Sequence, residues 1–219
     1  MPLTLNELYT QTKHQYHLSM IAGETGIDHI MNWIYVSEDS STHDFLKGGE
    51  LIITTGINCQ DEASLYDFIE TMIKSHTCGM ILNTGKYILP EHITDSIKEL
   101  CNKHNYPLID MPWQVHIYDI TRDYYNRIFM DTQKDTSITD AFLSFIEEDS
   151  LHHYDALRIL EDNHFAKDDR YEIALMQCNK KMISDDLKLR LLFLMESYIK
   201  LNDLDIHIAF YKNHFCLFS

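Results

Sequence analysis

The chain has 219 residues, 45% hydrophobic and 24% charged, so it can bury a core and disorder is not its default state. Its 34 acidic and 18 basic side chains leave a formal charge of −16, which repels phosphate backbones and argues against unaided binding to DNA or an anionic membrane. The five cysteines are scattered and never spaced as CxxC, which excludes a zinc ribbon, a redox pair or a dense disulfide scaffold and leaves reduced core thiols.

From the N-terminus, Met1 to Leu8 lack the basic and apolar regions of a leader, and no window approaches about 18 consecutive apolar residues. A soluble, cytoplasmic protein is expected. All seven glycines lie within the first 85 residues and the last of four prolines is Pro112, so the first part reads as a compact α/β domain with tight connections. Short apolar runs bounded by turn residues predict buried strands at Trp33–Val36, Leu51–Ile53, Met80–Leu82 and Leu108–Ile109. Between them, Leu65, Phe68, Ile69, Met72 and Ile73 mark one face of a helix over Asp61–His76. A second helix is expected to start at Pro90, with Ile93, Ile97, Leu100 and Cys101 as its stripe. This alternation is the grammar of parallel β-α-β units.

From Asp119 the chain reads as helical. Ile120, Tyr124 and Ile128 form one stripe, Ile138, Phe142, Phe145 and Ile146 another, and a third helix covers His152–His164. Tyr171–Met176 then predicts a strand. A helix started by Ser184-Asp185-Asp186 carries Leu187, Leu191, Leu194, Met195 and Tyr198, and a hairpin turns at Lys212-Asn213-His214. A β-α-β-β segment without closing elements leaves a sheet edge and a helix face uncovered, so the chain is expected to be a piece of a longer protein. The expected divisions are 1–118, a helical connector 119–166, and a partial α/β segment 167–219.

Catalytic motifs are missing: no GxxxxGK[ST], GxGxxG, GxSxG or HExxH occurs. Gly48-Gly49-Glu50 reads as a tight turn before a strand. The 13 histidines, including His14, His17, His152 and His153, do not cluster as zinc ligands, so no metal or cofactor is expected. Glu147-Glu148-Asp149 and Asp168-Asp169 read as solvated faces or helix ends. The strand ends carry more promise. Ser37-Glu38-Asp39, Thr54-Thr55-Gly56 and Asn83-Thr84-Gly85 each follow a predicted strand, and ligands of open α/β sheets bind outside the carboxyl ends of strands. The same residue types are also good turn formers, and both readings stay open.

The run Asn32-Trp33-Ile34-Tyr35-Val36-Ser37-Glu38 and the stretch from Phe45 to Gly56, through Gly48-Gly49-Glu50 and Thr54-Thr55-Gly56, resemble the N-terminal domain of the PucR (purine catabolism regulator-like) family. So do Gly79–Leu82 with Gly85, Pro107-Leu108-Ile109, Pro112-Trp113 and Asp119-Ile120-Thr121, a likeness spanning roughly residues 4–125. The stretch from Arg170 is similar to the start of the degenerate GGDEF-like domain of such regulators. The resemblance implies a bacterial transcription regulator of purine or related nitrogen catabolism, not an enzyme, whose missing C-terminal helix-turn-helix binds DNA. It implies a small-molecule effector, such as a purine-degradation metabolite; a homodimer is expected from the glycine-free helices, read as a dimerisation surface. The candidate ligand-binding residues are Ser37, Glu38, Thr54, Thr55, Gly56, Asn83, Gly85 and Trp113. The competing expectation is a dimerisation or protein-interaction module without a small-molecule ligand.

Overall fold

The computed structural model describes residues 3–59, 61–147, 153–165, 170–177 and 184–219. Cys178, His152, Glu148, Asp149 and the pair Asp168-Asp169 lie outside the described residues. The chain forms two compact units, Leu3–Ile128 and the part from Phe129 onward. Among the described residues, no helix is long and apolar enough to cross a membrane.

The first unit runs β1 (Leu3–Thr4), α1 (Leu5–Thr12), β2 (Ser19–Ala22), β3 (Ile30–Met31), β4 (Trp33–Val36), β5 (Glu50–Thr54), α2 (Glu62–Lys74), β6 (Gly79–Thr84), α3 (Asp95–Lys103) and β7 (Leu108–Pro112), and ends within α4 (Ile117–Ile146). Five strands form a sheet in the order β2-β7-β6-β5-β4; β4 to β7 are parallel, and β2 joins β7 antiparallel at one edge. The fold is the expected α/β arrangement, a mostly parallel sheet flanked by helices.

Side-chain alternation along each strand builds two cores. Ile52, Met80, Leu82 and Leu108 face Leu65, Phe68 and Met72 of α2 and Ile97 and Cys101 of α3. Ile34, Leu51, Ile53, Ile81 and Ile109 face Leu5 and Leu8 of α1 and Ile120 and Tyr124 of α4. A strand covered on both sides must be apolar at successive positions, which is why these runs look continuous in sequence.

The turn before β5 is built from Gly48 and Gly49, at φ +95° and +80°. The buried Glu50 carboxylate accepts from the N–H groups of Lys47 at 2.7 Å and Gly48 at 3.0 Å. Gly48-Gly49-Glu50 is thus a folding device. The helix expected from Pro90 is instead a 3₁₀ turn, Pro90–His92, after which Ile93 leaves helical geometry at ψ 77° and α3 begins at Asp95.

In the second unit, α4 continues as one helix to Ile146. It is followed by α5 (His153–Asp162), β8 (Ile173–Met176), α6 (Asp185–Leu201), β9 (His207–Tyr211) and β10 (His214–Phe218). β10 lies antiparallel between β8 and β9, so β8-α6-β9 is a split β-α-β unit. Lys212 and Asn213, both at positive φ, make the hairpin turn. Phe142 stacks on Phe218 with ring centroids 4.4 Å apart.

Two expected stripes are corrected. Phe145 and Ile146 are exposed, and Ala141 joins Ile138 and Phe142 in the core instead. On α6, Leu187, Leu194 and Tyr198 are exposed, while Leu191, Leu192, Met195 and Ile199 pack toward Ile208 and Phe215. The run from Leu191 to Met195 is apolar all round, so spacing cannot fix which side turns inward.

Candidate functional site

Because β4, β5 and β6 are parallel neighbours, their carboxyl ends emerge on one edge of the sheet. That edge gathers Glu38, Thr54 and Thr55. The Glu38 carboxylate accepts from Thr54 Oγ1 at 3.1 Å, Thr55 Oγ1 at 2.7 Å, the Thr55 N–H at 3.1 and 3.2 Å, and the Ile57 N–H at 3.4 Å. Thr54 is fully buried, and its Oγ1 also accepts from the Gly56 N–H at 3.0 Å. Gly56 has φ +69°, and a Cβ there would lie 2.2 Å from Ile88 Cδ1, so both conformation and space demand glycine. This turn aims main-chain N–H groups inward, as anion-binding nests do.

The other candidates are engaged differently. Ser37 Oγ donates to Asp39 O at 2.9 Å and lies 2.7 Å from Thr42 Oγ1. Asp39, named in sequence as part of the same polar strand end, accepts from the Ser41 N–H at 2.9 Å and from Asn58 Nδ2 at 3.0 Å, a second tie between the loops after β4 and β5. The Ser41 hydroxyl and N–H hold the exposed Asp39 carboxyl below its ordinary range. Cys59 Sγ lies 3.9 Å from Glu38 O, and burial, aided by Asp39 and Glu38, pushes its thiol up to about 11. A thiol so disposed is a poor nucleophile.

At the end of β6, buried Asn83 turns away from Glu38. Its Nδ2 donates toward the carbonyls of Met111 at 3.2 Å, Pro112 at 3.1 Å and Val115 at 3.3 Å, bracing the turn that carries Trp113. Thr84 Oγ1 donates to Asp110 Oδ1, and the Trp113 N–H donates to Thr84 O at 2.7 Å. Gly85, at φ +108°, lets the chain reverse so that its N–H meets Ile88 O at 2.8 Å. Lys86 Nζ then sits 4.9 Å from the Tyr87 ring centre and 4.7 Å from that of Trp113, with the rings edge to face. A cation beside two rings is a contact suited to planar or anionic ligands. The sequence reading missed Lys86, Tyr87 and Asn58, and named Asp39 only as part of a polar strand end. The aromatic pair Tyr87 and Trp113 was visible only as two separate residues.

One contact links this edge to the long helix. Tyr125 Oη donates to Ile34 O at 3.0 Å, and its ring lies 5.0 Å from that of Trp33, so β4, the strand that leads to Glu38, is fastened to α4. Among the described residues, no group of three or more His, Cys, Asp or Glu side chains could hold a metal ion.

The comparisons bear on this same unit. The model of the "Purine catabolism regulatory protein-like family" matches residues 7–128. A protein named "Purine catabolism regulatory protein" from Bacillus subtilis (strain 168) is 28% identical over 103 residues, covering 47% of this chain. The aligned region is 19% of that relative's length.

Proposed function

The chain belongs to the purine catabolism regulatory protein-like family, and on that premise we propose that it is the ligand-sensing, non-DNA-binding region of a cytoplasmic transcription regulator of purine or related nitrogen catabolism. The observation that carries this reading is the convergence of Glu38, Thr54 and Thr55 at neighbouring parallel strand ends, inside the residues the family model matches. Ser37, Gly56, Asn83, Gly85 and Trp113 complete the proposed site as the residues that shape its loops. Binding there biases the loops after β4 and β5 toward one of two arrangements, and the Tyr125–Ile34 contact passes that bias to α4. DNA contact falls to a separate helix-turn-helix domain. We propose further that the β8-α6-β9-β10 segment belongs to a GGDEF-like domain, a reading its order of elements supports. No step here uses a catalytic group.

The test is thermal melting of this chain against a panel of purine-degradation metabolites. A saturable rise in Tm with one class of metabolite is the expected result. A flat response across the panel would overturn the reading. A second reading, a homodimerisation module, is favoured by Phe129 and Met130 of α4, which are 61% and 72% exposed. Sedimentation of Phe129→Ser against the parent chain tests that dimer, and the metabolite panel, flat under the second reading, separates the two.

A further inference from the structure

We infer that the turn Thr54–Ile57 is a carboxylate-binding site which this chain fills with its own Glu38, and that the effector carries a carboxylate that takes Glu38's place. This rests on the sensing role proposed above and adds the ligand's chemical class.

The donor set is specialised. Two main-chain N–H groups and two hydroxyls, all uncharged, converge on one carboxylate, and four of the five contacts to Oε2 and Oε1 come from Thr54 and Thr55 alone. The hosts are fixed: Thr54 is fully buried at the end of a central strand, and its hydroxyl is locked from behind by the Gly56 N–H. Gly56 in turn is pinned by Ile88, which is itself fully buried. The guest is a side chain from the following loop of an edge strand and can swing away about its own torsions. A fixed cradle and a movable occupant make an exchangeable contact. A ligand carboxylate can reproduce these bonds, because N–H and O–H donors recognise the carboxylate group whatever carries it. A phosphate monoester would bring about two charges to donors that carry none, with Asp39 bonded to Asn58 next to the turn. A monoanionic carboxylate fits the set better.

Exchange also has a structural consequence. Once Glu38 is displaced, the loop after β4 loses its carboxylate bonds to the turn after β5 and keeps the Asp39–Asn58 bond and the contact of Cys59 Sγ with the Glu38 carbonyl. The turn Gly85–Ile88, which presents Lys86 over Tyr87 and Trp113, adjoins the cradle through Ile88 and offers the remainder of an effector a cation and two rings.

The experiment compares the parent chain, Glu38→Ala and Glu38→Gln in sodium formate and sodium chloride at equal ionic strength, read by thermal melting. In chloride, Glu38→Ala melts below the parent. Formate raises its Tm saturably, with the folding constant increasing about elevenfold at ten times Kd, and the parent responds far less because its cradle is filled. Adding Thr55→Val to Glu38→Ala removes most of the rescue. An equal response of Glu38→Ala to formate and chloride overturns the inference. If Glu38→Ala fails to fold in either salt, Glu38→Gln decides, since its neutral amide is a weaker occupant: a formate-specific gain supports the cradle, and none overturns it. Formate rescue alongside a flat metabolite panel on the parent chain keeps the cradle and overturns sensing. Metabolite binding without formate rescue does the reverse.

Discussion

Tyr124 Oη lies 2.7 Å from Thr12 Oγ1, and because the Thr12 hydroxyl already donates to Leu8 O at 2.6 Å, the tyrosine must be the donor. This buried bond joins residues 112 positions apart and docks α4 against α1. Losing either end therefore has unequal consequences. Tyr124→Phe removes a donor and leaves Thr12 satisfied, costing about 1 kcal/mol. Thr12→Val strands a buried phenol and costs about 1–3 kcal/mol. Urea denaturation of the two variants measures the asymmetry; equal losses would contradict the assigned direction.

Gly56→Ala is expected to destabilise by at least about 1–2 kcal/mol, the left-handed backbone alone accounting for that much. The clash with Ile88 adds to it. The double variant Gly56→Ala with Ile88→Ala should be more stable than the sum of the single effects, with a coupling of about 0.5–3 kcal/mol. Strict additivity would mean that the two residues do not meet.

Asn83→Ala leaves the carbonyls of Met111, Pro112 and Val115 without their shared amide donor. A loss of about 1–3 kcal/mol follows. The turn that carries Trp113 should loosen as well, so tryptophan fluorescence should shift before the global transition in a denaturant series.

His207 is buried, with Nε2 2.8 Å from Thr139 Oγ1 and its ring stacked on Phe142. Burial lowers its pKa from 6.5 to about 4, against the opposing pull of Asp135. Between about pH 4 and 6.5 the unfolded chain binds the extra proton, so stability rises with pH across that window and is lost as pH falls. Glu196 acts in the opposite sense: burial, then Asp135, raises it from 4.5 to about 7, so its contribution is lost as pH rises through that range. His207→Gln should flatten the acid limb by on the order of 2 kcal/mol, and Glu196→Gln should stabilise the chain most above pH 7. Calorimetry from pH 4 to 8 checks both signs.

The central strands were legible because a strand covered on both faces must be apolar throughout, as Leu51-Ile52-Ile53 is. β2 was not, because Ser19-Met20-Ile21-Ala22 sits at an edge, half exposed, with no contrasting pattern. The start of α3 was misplaced because Pro90 suits a first helical turn of either kind, and only the geometry of Ile93 ends it. At the site, composition identified three polar strand ends. It could not pair the Glu38 carboxylate with Thr54 and Thr55, because that pairing depends on β4 lying beside β5. Nor could it show that Asn83 faces the turn after β7 instead of Glu38, since its direction is set by strand pleat and a distant turn. Lys86 was hidden for a simpler reason. Its importance comes from two rings 26 residues apart in sequence, Tyr87 and Trp113, which meet only in the folded chain.

The position of Cys59 gives the molecule a chemical clock. The residue is 2% exposed, its sulfur lies against the Glu38 carbonyl, and its thiolate is scarce at neutral pH. Iodoacetamide can therefore reach it only during excursions in which the loops after β4 and β5 part. The alkylation rate of Cys59, followed by mass spectrometry, counts those excursions directly, and does so at a native residue with no engineered probe.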